Sequence, residues 1–133
     1  CWTDCCTDAL QICIEGLTNE GDRVIVPAYG WRAFANAPTI MGREVDFCDI
    51  DDTGNINLNN LEAMIKQKPP AAVIIVHNFG AIVDISPIKG ICDFYGVCFC
   101  FFFFFSSCSS SFCNERTILL HTRHSLTRSV LLF

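Results

Sequence analysis

Apolar positions in the first 97 residues alternate between two spacings, and the alternation predicts a layered fold. Leu10, Cys13, Ile14 and Leu17 recur at i, i+3, i+4 and i+7, the spacing of one helical face, so residues 7–17 are predicted to form an amphipathic helix capped by Thr7 or a neighbour. Gly21-Asp22 turns the chain into Arg23-Val24-Ile25-Val26, a short apolar strand stopped by Pro27. A second helix is expected over 32–41, complicated by Pro38, which removes a donor, and stopped by Gly42. Residues 44–48 read as a strand and 49–55 as a polar turn. Leu58, Leu61 and Ile65 then line one side of a third helix, which Pro69-Pro70 ends. Residues 71–76 are a continuous apolar run of strand length. A fourth helix over 86–95 should turn Ile88, Ile91, Cys92 and Tyr95 inward, and Gly96 releases the chain into a strand from Val97. Helices alternating with strands through short links imply an α/β fold, a mostly parallel sheet with flanking helices.

The pattern breaks at residue 98. From Cys98 to Cys113 the chain uses only Cys, Phe and Ser, with Phe at every position from 101 to 105. This divides the sequence into a folded part, 1–97, and a low-complexity segment with a basic tail, 98–133. The second part is expected to be irregular: disordered, or the product of an out-of-frame pyrimidine-rich stretch. Residues 94–113 carry no charge and are long enough for a membrane helix, which leaves a membrane-tethered domain as an alternative. Five serines and a glycine dilute that stretch, and aromatic anchors do not flank it at both ends.

Charge and cysteine content narrow the function classes. Residues 1–97 hold 13 acidic and 6 basic side chains, a net charge of −7, which opposes nucleic-acid binding. The tail's Arg116, Arg123 and Arg128 form no dense cluster that would track phosphates. Ten cysteines would suit a disulfide scaffold in a secreted chain, but no basic and apolar leader pattern opens this sequence. Cys13, Cys48 and Cys92 fall on apolar faces, where a free thiol packs as a small hydrophobe, so a reducing, cytoplasmic setting is expected. Neither Cys1, Cys5 and Cys6 nor the later cysteines show paired metal-ligand spacing, and no metal site is expected.

Three places invite chemistry. The helix start at Cys6, Thr7 and Asp8 offers free backbone N–H groups and the positive end of a helix dipole, which suit a phosphate. Trp31 lies four residues past Pro27, at the carboxyl end of a strand, where α/β sheets bind ligands and an indole stacks on a flat ring. His77-Asn78-Phe79-Gly80 lies just past another strand. Each has a plainer reading, as a capped helix, a core aromatic and a structural histidine.

Taken in order, Thr7-Asp8-Ala9-Leu10, the run from Gly21 to Ala28, Trp31, Asn36-Ala37, Asp49-Ile50-Asp51 and Val76-His77-Asn78-Phe79-Gly80 resemble the early part of the DegT/StrS-type nucleotide-sugar aminotransferases. The resemblance runs from about Asp4 to Val97. It implies the aspartate-aminotransferase fold, pyridoxal 5′-phosphate (PLP) as cofactor, and transfer of an amino group from an amino-acid donor to a nucleotide-linked keto-sugar. Some relatives dehydrate such a sugar instead, and the family works as homodimers. It also implies roles: Cys5, Cys6 and Thr7 stand where the family has a Ser-Gly-Thr phosphate cradle, Trp31 where an aromatic stacks on the pyridine ring, and His77 in the segment lining the pocket.

The same resemblance exposes two departures. Counting on from Gly96 places Phe102 where the family has the Asp that pairs with the protonated pyridine nitrogen. The tail from Asn114 onward contains no lysine to form the Schiff base, and Lys66, Lys68 and Lys89 are expected to be solvated on or beside helices. The expectation is a family member without catalytic residues in these 133 positions, or a non-catalytic binding or regulatory remnant.

Overall fold

The computed structural model describes residues 6–78, 82–103, 116–121 and 128–132. Four helices and six strands follow the order α1 (Cys6–Leu17), β1 (Arg23–Pro27), α2 (Ala33–Ile40), β2 (Glu44–Cys48), α3 (Leu58–Gln67), β3 (Ala72–His77), α4 (Ile85–Tyr95), β4 (Cys98–Phe103), β5 (Arg116–His121) and β6 (Arg128–Leu132). They build one sheet in the order β2-β1-β3-β4-β5-β6. The first four strands pair in parallel, while β5 joins β4 and β6 joins β5 antiparallel.

Successive side chains on the central strands point to opposite faces, and each face is buried under its own helix pair. Val24 and Val26 of β1 and Ile74 and Val76 of β3 pack with Leu10 and Ile14 of α1 and with Phe34 and Ala37 of α2. Ile25, Val73, Ile75 and Phe99 pack on the other side with Leu61 and Ile65 of α3 and with Ile88 and Cys92 of α4. This explains why β1 and β3 read as unbroken apolar runs. Ile91 and Tyr95, expected inward, are half-buried at the margin of that second cluster.

Local chemistry sets the helix ends. The Asn57 side chain accepts from the Asn59 and Asn60 N–H groups, each at 3.1 Å, and starts α3; Asp84 accepts from Ser86 N–H at 3.0 Å and starts α4. Gly96 ends α4 in the left-handed region at φ 64°, with Val97 N–H donating back to Cys92 O at 2.8 Å. Pro38 sits inside α2, two residues before its end, so the helix survives a proline by being short.

The tail departs from the irregular segment that composition implies. A strand was expected to open at Val97, and β4 covers Cys98–Phe103; beyond it, Arg116–His121 and Arg128–Leu132 are strands too. The physical reason is the open edge of β4, whose backbone N–H and C=O groups gain partners when Ile118 pairs with Phe102 and Leu120 with Cys100. Among the described residues no helix is long and apolar enough to cross a membrane.

Candidate functional site

Strand order reverses between β1 and β3: β2 lies to one side of β1, and β3 and β4 to the other. Such a reversal opens a crevice at the carboxyl ends of the two strands, the usual ligand position in open α/β sheets. Two of the sequence-selected features follow or end the strands on either side of this reversal. Helix α1 precedes β1, and its Leu10 and Ile14 share a core cluster with Val24 and Val26 of that strand. Trp31 follows β1 closely, and His77 is the last residue of β3.

Cys6 is the first residue of α1, Thr7 is half-buried and Asp8 is exposed. First-turn N–H groups of any helix have no acceptor within the helix itself, a feature that suits an anion. The Asp8 carboxylate shares that turn and competes with a phosphate for the same positive end. Cys5, and Phe79 to Ala81 of the segment after His77, lie outside the described residues.

Trp31 is 40% exposed and meets Phe34 edge-on, with ring centroids 6.2 Å apart at 88°. Phe34 is anchored in the core, so one edge of the indole is braced while much of the residue stays open to solvent. His77 is buried, and its Nδ1 accepts from Val83 N–H at 2.7 Å. The imidazole thereby joins the end of β3 to the approach of α4. Asn78, which sequence reasoning noticed within a motif but gave no role, is also buried and donates through Nδ2 to Tyr29 O at 3.1 Å and Gly54 O at 3.3 Å.

The lysines lie away from this edge or face solvent. Lys68 pairs with Glu44, the first residue of β2, at 3.1 Å, which places it at the amino edge of the sheet. Lys66 pairs with Glu62 at 2.9 Å, and that hydrogen bond pushes its ammonium pKa up, opposite to what a nucleophilic amine needs. Lys89 is exposed on α4. Another cleft, of about 430 Å³, is lined by Asp51 and Asp84 and, among the described residues, by no Lys or Arg, which disfavours a phosphate there.

The fold and this edge define a class: the parallel α/β large-domain architecture of PLP-dependent aminotransferases. Among solved structures, an aminotransferase of the DegT, DnrJ, EryC1 and StrS type from Brucella abortus is 31% identical, with a TM-score of 0.61 over 73% of this chain and 27% of that one. A GDP-4-keto-6-deoxymannose-3-dehydratase, solved with a trapped PLP-glutamate geminal diamine, shares the fold at 23% identity, with a TM-score of 0.66 over 84% of this chain and 32% of that one. The DegT/DnrJ/EryC1/StrS aminotransferase family matches residues 2–101, and the chain belongs to that family. Among curated relatives, the UDP-2-acetamido-2-deoxy-3-oxo-D-glucuronate aminotransferase of Pseudomonas aeruginosa is 36% identical over 93 residues, 68% of this chain. The chain spans 16% to 26% of the length of the curated relatives it matches.

The donor set fits one part of PLP and not another. A helix start suits the phosphate, and a braced indole that is 40% exposed suits the ring face. Strand register pairs Phe102 with Val76, immediately before His77, so an apolar residue type occupies the carboxyl end of β4 where the resemblance calls for a carboxylate. Phenylalanine carries no charge to balance a pyridinium.

Proposed function

We propose that this chain is part of a PLP-dependent aminotransferase acting on a nucleotide-linked keto-sugar, with an amino acid such as glutamate as donor and a homodimer as the working assembly in the cytoplasm. The reading is supported by element order: α1 precedes β1, Trp31 follows β1 and His77 ends β3, on the two strands where the sheet order reverses, inside the segment matched by the family. In this reading Cys6, Thr7 and Asp8 face the phosphate, Trp31 supports the ring and His77 holds the segment that closes the pocket. When bound, PLP supplies an electron sink for bonds at an amino-bearing carbon.

We further propose that these 133 residues bind the cofactor weakly and do not transaminate by themselves. Phe102 leaves the ring nitrogen without a counter-charge, and Lys66, Lys68 and Lys89 are paired or solvated. The test is titration of the purified chain with PLP, followed by tryptophan quenching and by mass after borohydride reduction. Expected are saturable quenching, competition by inorganic phosphate and no stoichiometric adduct. A borohydride-stable adduct at one lysine would refute the inactivity, and absence of quenching at millimolar PLP would refute the cradle.

A further inference from the structure

Three connections leave the carboxyl edge of the sheet beside one another, and one side chain touches all of them. Asn78 follows β3; Tyr29, whose carbonyl it holds, lies in the β1–α2 connection; Gly54, whose carbonyl it also holds, lies in the turn after β2. Both bonds come from the same amide nitrogen, so both of its protons are committed and the orientation of the amide is fixed by its partners. Asn78 is 4% exposed, which makes the two bonds costly to trade for water.

The surroundings are shaped to this side chain. Gly30 has φ 146°, and a Cβ built there would stand 3.1 Å from Asn78 Oδ1. A side chain at position 30 would therefore be strained by its backbone and would press on the amide. The Tyr29 ring lies close to Gly54, so the connections held by the amide also pack on each other. The Gly54 turn is itself rigid: Asp51 Oδ1 accepts from Thr53 N–H at 2.9 Å, Thr53 Oγ1 at 2.5 Å and Asn55 N–H at 3.1 Å. Asn78 thus ties Tyr29 and Gly30, the two residues immediately before Trp31, to a stiff turn and to the central strand.

We propose that Asn78 is a positioning residue for Trp31: it sets the pose of the stacking indole by locking the β1–α2 connection across the β1/β3 crevice. Its relevance to a cofactor rests on the function proposed above, but the lock itself is read without any ligand. The Asn78–Tyr29 bond is of ordinary strength, so its loss should raise the open population of the connection by up to roughly fivefold.

The experiment uses the full chain in a Trp2→Phe background, leaving Trp31 as the only tryptophan. Acrylamide quenching and emission anisotropy are measured for Asn78→Leu and Asn78→Asp, both of similar volume and both lacking the donor nitrogen. Ile88→Val, on the buried side of α4 in the core cluster on the opposite face of the sheet, serves as a control for general loosening. Expected are about twofold stronger quenching and lower anisotropy in both Asn78 variants, with Ile88→Val unchanged and Gly30→Ala shifted like them. Unchanged Trp31 signals in folded Asn78 variants, or an equal change in Ile88→Val, overturn the proposal. Should the Asn78 variants fail to fold, the unmodified chain decides: slow exchange of the Asn78 side-chain protons supports the lock, and fast exchange overturns it. If Trp31 responds as expected while PLP does not bind, the lock stands and the functional reading falls.

Discussion

Arg23 is a buried cation at the first position of β1, and replacing it by Met separates two explanations of what it does. The residue is 8% exposed; its Nε donates to Asp46 on β2, and its Nη1 donates to Lys68 O and, at 3.3 Å, to Met64 O at the end of α3. Asp46 is 45% exposed, so water already screens that ion pair and its worth is about 0–1 kcal/mol. The helix-end carbonyls are different. A charged donor at a helix C-terminus satisfies orphan acceptors and meets the negative end of the dipole, and such a bond contributes about 1.5–3 kcal/mol. Met64 O already receives Lys68 N–H at 3.1 Å, so most of this contribution falls on the Lys68 carbonyl. Methionine keeps the apolar stem and removes only the donors. Arg23→Met should therefore lose roughly 2–4 kcal/mol, whereas Asp46→Asn should lose about 1 kcal/mol or less. Urea unfolding of both single variants and the double variant gives the coupling directly. A coupling as large as the whole Arg23→Met loss would mean that the ion pair, not the helix end, holds this corner together, and the reasoning would be wrong.

Two further outcomes follow from buried groups. His77→Ala removes the acceptor of Val83 N–H and should cost about 1–3 kcal/mol, with faster hydrogen exchange at Val83; His77→Asn, which keeps an acceptor near Nδ1, should lose less, and an unchanged Val83 exchange rate would contradict the assignment. The Cys48 and Cys92 thiols are pushed up to about 12, in both cases chiefly by burial. A folded pKa above the unfolded value means that this contribution to stability is complete below the ordinary thiol value near 9 and is lost as pH rises toward 12. Iodoacetamide at pH 8 should accordingly label these two only after unfolding, and rapid labelling of the native chain at either position would refute the burial argument.

Much of the core could be read from residue spacing, because α1, α3 and α4 carry apolar residues at helical intervals and β1 and β3 are apolar on both faces. Their observed ends fall within a residue or so of those expected, since Asn57, Asp84 and Gly96 cap by local rules. Strands β5 and β6 were missed: Ile118-Leu119-Leu120 and Val130-Leu131-Leu132 are apolar runs too short to show a period, and their pairing is set by the edge they meet. The site was legible in part for the same reason. Trp31 and His77 announce themselves by following strands, whereas the partners of Asn78 are backbone carbonyls 49 and 24 residues away, which no local pattern encodes.

Strand β2 forms one outer margin of the sheet, and its register sets Glu44 against Arg23 and Asp46 against Ile25. Both acids are tied to cations from elsewhere in the chain, Lys68 and Arg23, so this flank presents charge where it would otherwise offer a bare template. A second molecule adding its own extended segment there would have to bring a strand past these charged side chains. The corner that fastens β1 to α3 therefore also leaves this flank carrying charge, a feature that disfavours edge-to-edge pairing.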